Sequence, residues 1–363
     1  MFRILKVLSL LLYAISISAL AADSGAKNGQ QELEILHSGE QIIAGSLWLP
    51  EVKSTPSLVI MLTGSGPQDR DETLDGFKVF KTLAHHFAAA GIPSFRFDDP
   101  GVGGSSGVFS KATLQDHTRD VLAIIQFFKH SKEYGFNKFV LLGHSQGGIV
   151  AAHVAVGNAD VSKVVLMGAP SVPLVDLVLY QLRLEYANAA VPKNQIEEVV
   201  SAHNQLMWAV NNNGNLQRAE SRFKNATIDI LSYHASQDQN QHEKANRAVS
   251  QQAENQYDEM RYVYSMPSLA SFLYHDTALD YAKLSVPVLS LMGGKDLQVT
   301  IEQNKDAMEI AFLKSAAQFD LRVFNNANHY FQTAQTGLRD EYQHLDKNFT
   351  DGFVTTLTTW LIQ

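Results

Sequence analysis

The chain has no cysteine in 363 residues, which removes disulfide scaffolds, thiolate zinc sites, iron–sulfur clusters and a thiol nucleophile at once. Any nucleophile has to be an oxygen. Basic charge is also scarce: 29 Lys and Arg stand against 37 Asp and Glu, a formal net charge of −8. That balance gives no electrostatic reason to expect nucleic acid as a partner. With 45% hydrophobic and 18% charged residues, the chain is too apolar and too mixed for disorder and long enough to bury a large core. Length alone leaves open two domains or one large α/β domain carrying an insertion.

Long apolar runs are confined to one place. Arg3 and Lys6 precede Val7 to Leu20, which is almost wholly apolar or small, and Ala19-Leu20-Ala21 supplies a small-x-small cleavage pattern. This reads as a secretory signal peptide over residues 1–21. The alternative is an uncleaved anchor, which would need about 20 spanning residues and has fewer. Without a cysteine after the run there is no site for a lipid anchor. The expected product is exported, periplasmic or secreted, with no stable membrane anchor after cleavage.

Residues 32–49 read as an antiparallel hairpin, broken at His37 to Gln41. Short apolar runs then alternate with helix-length segments. Leu58 to Leu62, Ile92 to Phe97, Phe139 to Leu142, Val164 to Met167, Val286 to Met292 and Leu321 to Phe324 are strand-like. Phe77 to Ala90, Leu114 to Lys132, Gln146 to Val156 and Glu302 to Lys314 have apolar spacing near 3.6. Such alternation predicts an α/β fold with a mostly parallel sheet and helices on both faces. Residues 171–284 break the rhythm with polar, Asn- and Gln-rich helical material, far longer than the roughly 2 to 6 residues of an ordinary connection. They read as an inserted helical cap between catalytic-domain segments 30–170 and 285–363. A separate linked domain is the alternative.

The strongest local pattern is the apolar run Phe139 to Leu142 entering Gly143-His144-Ser145-Gln146-Gly147-Gly148 and then the small-residue segment Ile149 to Ala152. A nucleophile on a tight strand-to-helix turn needs very small neighbours two positions away, the places of the elbow glycines Gly143 and Gly147. Ser145 is the expected nucleophile, and the N–H of Gln146 at the helix start is an expected oxyanion donor. A serine hydroxyl needs a base and the base an orienting carboxylate. Asp296 follows the strand Val286 to Met292 directly, and His329 follows the last strand, in the required order acid then histidine. Asp306 and Asp320 are weaker rivals for the acid; His344 reads as solvated and His144 as a packing or pocket residue. The turn Thr63-Gly64-Ser65-Gly66 offers a second oxyanion donor in the N–H of Ser65. The Gly-rich run Asp98 to Gly107 lacks the lysine of a phosphate loop and reads as a structural turn.

Four ordered motifs, Gly64 to Asp71, Phe97 to Gly103, Gly143 to Gly148 and Gly293 to Val299, resemble the α/β-hydrolase superfamily over residues 30–363. More narrowly they are similar to a bacterial serine esterase group related to EstD-type carboxylesterases and prolyl-oligopeptidase-like hydrolases. The resemblance implies an eight-stranded sheet, a Ser-Asp-His triad, no metal and no cofactor. Thr63 stands where many relatives have His, and Pro100 where they have Arg. Asp69 and Arg70 are expected to pair beneath the oxyanion turn, and Leu206, Met207, Trp208 and Tyr262 to Tyr264 to wall the pocket. The expected partner is a small-molecule ester; the oligomeric state is open. A peptidase, an aminoacyl amidase, a thioesterase, or a silent binding protein on the same fold would carry the same pattern.

Overall fold

The computed structural model describes residues 29–37, 39, 41–237 and 245–363. The signal-peptide segment 1–21 lies outside them. Among the described residues no helix is long and apolar enough to cross a membrane.

The chain divides into two compact units, a helical one over Pro173–His275 and one holding the sheet. In the sheet unit, β1 (Gln30–His37) and β2 (Gln41–Trp48) form the expected antiparallel hairpin. A two-stranded ladder follows, β4 (Thr73–Leu74) with β5 (Phe77–Lys78), after β3 (Leu58–Leu62). The other strands are β6 (Ser94–Phe97), β7 (Phe139–His144), β8 (Val161–Met167), β9 (Val288–Gly293) and β10 (Phe319–Phe324). The main sheet has eight strands in the order β1-β2-β6-β3-β7-β8-β9-β10. From β6 onward neighbours are parallel; β2 joins β6 antiparallel, Gly45 facing Phe97.

The strands β3, β6, β7 and β9 are buried along their length because helices cover both faces. On one face α1 (Val79–Ala89) and α11 (Phe353–Ile362) bury Phe80, Leu83, Phe87, Phe353 and Leu357 on Val59, Met61, Val140, Leu142, Val165 and Leu291. On the other, α2 (Leu114–His130) lays Phe128 edge-on to Phe95 at 5.0 Å, beside α3 (Gln146–Ala155). Thr113 and Asp116 close the start of α2 as a reciprocal capping box.

Several boundaries differ from expectation for identifiable reasons. Strand β6 starts at Ser94 rather than Ile92, because Pro93 has no N–H to donate and offers only its carbonyl, to Val59. Phe77 and Lys78 pair with Leu74 and Thr73 before the helix begins. The insertion ends earlier than 284: α9 (Thr277–Tyr281) belongs to the sheet unit, where Tyr281 donates to the Pro170 carbonyl at 2.7 Å and stacks on Phe312 of α10 (Ile301–Phe312). Among the described residues the insertion holds five helices, α4 (Leu174–Asn188), α5 (Lys193–Asn211), α6 (Leu216–Gln237), α7 (Ala245–Ser265) and α8 (Pro267–Leu273). Leu206, Met207, Val263 and Tyr264 are buried, with Tyr264 bonded to His203 at 2.6 Å inside this unit, while Trp208 and Tyr262 are exposed. Leu206, Met207, Val263 and Tyr264 are core of the bundle, and Trp208 and Tyr262 lie on its surface.

Phe87 is fully buried in the α1 face. Phe87→Ala should lower stability by about 3–5 kcal/mol, read as a fall in the urea midpoint; a shift under 1 kcal/mol would mean that α1 is not seated on the sheet.

Candidate active site

Strand β7 delivers the chain to Ser145 and α3 carries it away. Between them Ser145 sits at φ 51° and ψ −121°, a conformation that costs a non-glycine residue about 1–3 kcal/mol and survives only where the surroundings enforce it. The enforcement is close backbone packing. A Cβ on Gly143 would lie 2.2 Å from the Gly147 carbonyl oxygen, and one on Gly147 would lie 2.3 Å from that of Leu62. The elbow therefore touches β3, bringing Ser145 beside the turn that follows that strand. Ser145 donates its N–H to Met167 at 2.9 Å and accepts from Gly148 at 2.9 Å.

His329 lies in a loop pinned by Asn328, whose Oδ1 accepts the N–H groups of Tyr330 (3.0 Å) and Gln332 (2.9 Å). Its Nδ1–H donates to Asp296 Oδ2 at 2.7 Å, which leaves Nε2 as the proton acceptor. Asp296 is buried in the turn after β9, and its Oδ1 accepts N–H from Gln298 (2.8 Å) and Val299 (2.9 Å). Ser145 and His329 line one small cavity of about 20 Å³ with Gly64, Ser65, Gln68, Leu74, His144, Gln298, Tyr330 and Arg339. Asp306 and Asp320 lie instead in α10 and β10.

The two oxyanion candidates stand on different footings. Gln146 opens α3, where first-turn N–H groups have no partner four residues back. In the β3 turn, the Gly64 N–H is occupied by Glu72 Oε1 at 2.7 Å, which leaves Ser65 as the next donor along the cavity wall. Beneath this turn lie buried carboxylates. The Thr63 hydroxyl and the Gln68 N–H each donate to Asp99 at 2.8 Å, so threonine at this position has a definite partner. Burial pushes the Asp99 carboxyl up to about 8, against the lowering pull of those two hydrogen bonds. Arg70 does not pair with Asp69: it grips Asp98 through Nε (3.0 Å) and Nη2 (2.6 Å) and reaches Glu32, while Asp69 accepts the Thr73 hydroxyl at 2.8 Å. Neighbouring residues in this extended turn point apart, which is why their adjacency misled. The Gly-rich run after β6 wraps Asp98, with the Gly104 N–H on Oδ2 at 2.9 Å, a structural role.

Two residues near the cavity were not singled out from the sequence. Gly168, at φ 56°, faces the His329 ring and Asp296, where a Cβ would come within 3.4 Å of the ring and 3.6 Å of the carboxylate. Glu72 is fully buried at φ 49° and bonds the His144 ring. Its sequence signal, one acid among Asp69-Arg70-Asp71-Glu72, looks like a solvated turn. Among the described residues, the side chains lining the cavity offer no cluster able to hold a metal ion.

The family model for serine aminopeptidase, S33, matches residues 75–333, which span Ser145, Asp296 and His329. Esterase EstD of Thermotoga maritima is 22% identical over 326 residues, 88% of this chain and 66% of that protein, so the chain spans about two-thirds of its length. Among solved structures, the Pyrococcus furiosus esterase Pf2001 is similar with a TM-score of 0.54 at 12% identity, covering 92% of this chain and 89% of the other. Proline iminopeptidase of Mycobacterium smegmatis gives a TM-score of 0.50 at 14% identity, covering 91% and 97%. At such identities the structural likeness establishes the α/β-hydrolase fold.

The Asp99 carboxyl titrates far above its unfolded value of about 3.9. Its stabilising contribution is therefore complete below about pH 4 and lost as pH rises through about 8. Asp99→Asn should flatten the decline in urea stability between pH 5 and pH 8.5; unchanged slopes would show that Asp99 is ionised throughout.

Proposed function

Because the chain belongs to the serine aminopeptidase S33 family, we propose that it is an exported serine hydrolase that cleaves carboxylic esters through an acyl-enzyme on Ser145. The observation that carries this reading is the strained Ser145 sharing one cavity with a histidine whose other nitrogen is held by a buried carboxylate. His329 Nε2 takes the Ser145 proton as the oxygen attacks the acyl carbon. Asp296 fixes the ring and offsets the charge it acquires. The N–H groups of Ser65 and Gln146 receive the oxyanion. The alcohol leaves with the proton from His329, and water, deprotonated by the same nitrogen, releases the acid.

The likeness to esterase EstD supports an ester substrate. Aminopeptidase action is the second reading, favoured by the family's description. It would call for a carboxylate to receive a charged α-amino group, whereas the described residues lining this cavity include Arg339 and no Asp or Glu. That contrast favours esters. The arrangement of Arg3, Lys6, the apolar run and Ala19-Leu20-Ala21 supports export.

Aryl esters of increasing acyl length, assayed beside aminoacyl amides and acyl thioesters, should show the highest kcat/KM for esters. Ser145→Ala should abolish that turnover, and Asp296→Asn should lower kcat by about 10⁴. Turnover retained by Ser145→Ala contradicts the proposal, and a preference for aminoacyl amides selects the second reading.

A further inference from the structure

The ring of His144, the residue before the proposed nucleophile, lies between two groups that normally accept. Its Nδ1 is 2.7 Å from Glu72 Oε1 and its Nε2 is 3.0 Å from the backbone carbonyl oxygen of His329. A neutral imidazole has one N–H and so can serve only one of them. The carbonyl can never donate, so a hydrogen is required on Nε2. The short Nδ1 contact then needs a second hydrogen, supplied by an imidazolium or by a protonated Glu72. Both contacts are buried, where an acceptor set against an acceptor is expensive.

We propose that Glu72 and His144 form a proton-holding positioning pair, which ties the oxyanion turn and the His329 loop to the nucleophile elbow as long as that second proton is present. Glu72 Oε1 reaches both ways: it accepts the Gly64 N–H at 2.7 Å and meets His144. The His144 ring, 4.6 Å from that of His329 between centroids, passes the link to the backbone of His329. Neither residue touches reacting atoms in this role; they fix where the reacting groups stand. The inference rests on the serine-hydrolase reading for its kinetic consequence but not for the proton count.

The electrostatics agree in direction. Burial opposes charge on His144, but the adjacent Glu72 carboxylate outweighs it and holds the imidazole above its ordinary value. The tether is thus complete below the unfolded histidine value of about 6.5 and is lost as pH rises through the higher folded one. Other titratable groups face the pair from each neighbouring loop. Asp296 comes from the β9 turn, His329 and Tyr330 from the β10 loop, and Asp99, facing Glu72, from the turn after β6. Asp99 is also raised above its ordinary value, so Asp99→Asn is the control: it should keep the alkaline response of the pair.

Glu72→Gln separates the roles. In the variant, the single amide atom at the Oε1 position cannot both accept from Gly64 and donate to a neutral His144 ring. The variant should lose about 10²-fold in kcat with little change in KM, as expected for a small displacement of reacting groups. The fall of kcat at alkaline pH expected of the wild type should move toward acid or disappear, and Glu72→Asp should restore part of it. A Glu72→Gln profile of wild-type shape overturns the proposal. Should that variant not fold, ring-¹⁵N NMR of the wild type decides: protons on Nε2 and in the Nδ1 contact at pH 7 are expected, and a Nδ1 contact without a proton on either partner overturns it. Absent ester turnover with both protons present would sink the hydrolase reading alone.

Discussion

Everything about the candidate site depends on the crossing of two backbones at Gly143 and Gly147. Their missing side chains let β7, the start of α3 and the end of β3 pack so closely that backbone oxygens lie 2.2 and 2.3 Å from where a Cβ would stand. Only that approach holds Ser145 at a positive φ and sets it against the Thr63-Gly64-Ser65 turn. The strain is local and small beside the burial energy of the sheet that supports it. The fully buried strands β3 and β7 are therefore the foundation of the site as well as the core of the fold.

A second constraint is the number of carboxylates packed under so small a region. Asp98 is neutralised by Arg70, Asp71 by Arg96 and Asp296 by hydrogen bonds from His329 and two backbone amides. Asp99 has no cation among its hydrogen-bond partners and is instead pushed toward its neutral form. Glu72 meets His144. Each buried acid thus has a distinct way of avoiding an unpaired charge. The outcome is a hydrogen-bonded platform beneath both the nucleophile and the oxyanion turn.

Much of this was legible in the sequence because it depends on short-range pattern. The parallel strands announce themselves as apolar runs, and the Gly-His-Ser-Gln-Gly turn and the order of Asp296 and His329 follow from chain geometry. What escaped depends on distant contacts. Burial of Glu72 and the pairing of Arg70 with Asp98 rather than Asp69 arise from turns that fold back on β6, which no local pattern records. Helix α11, with four threonines and a valine among ten residues, has weak helix propensity and is held by Phe353 and Leu357 on the core. Aromatic and apolar residues in the insertion marked its core, since hydrophobicity alone does not distinguish a packed face from a ligand-facing one.

The central claim is that one oxygen nucleophile, Ser145, is activated by His329. The most direct measurement is reaction with a fluorophosphonate followed by mass spectrometry of the proteolytic peptides. The account predicts a single phosphonyl adduct on Ser145, formed rapidly by the wild type and hardly at all by His329→Gln. An unreacted wild type, or an adduct on any other residue, would contradict it.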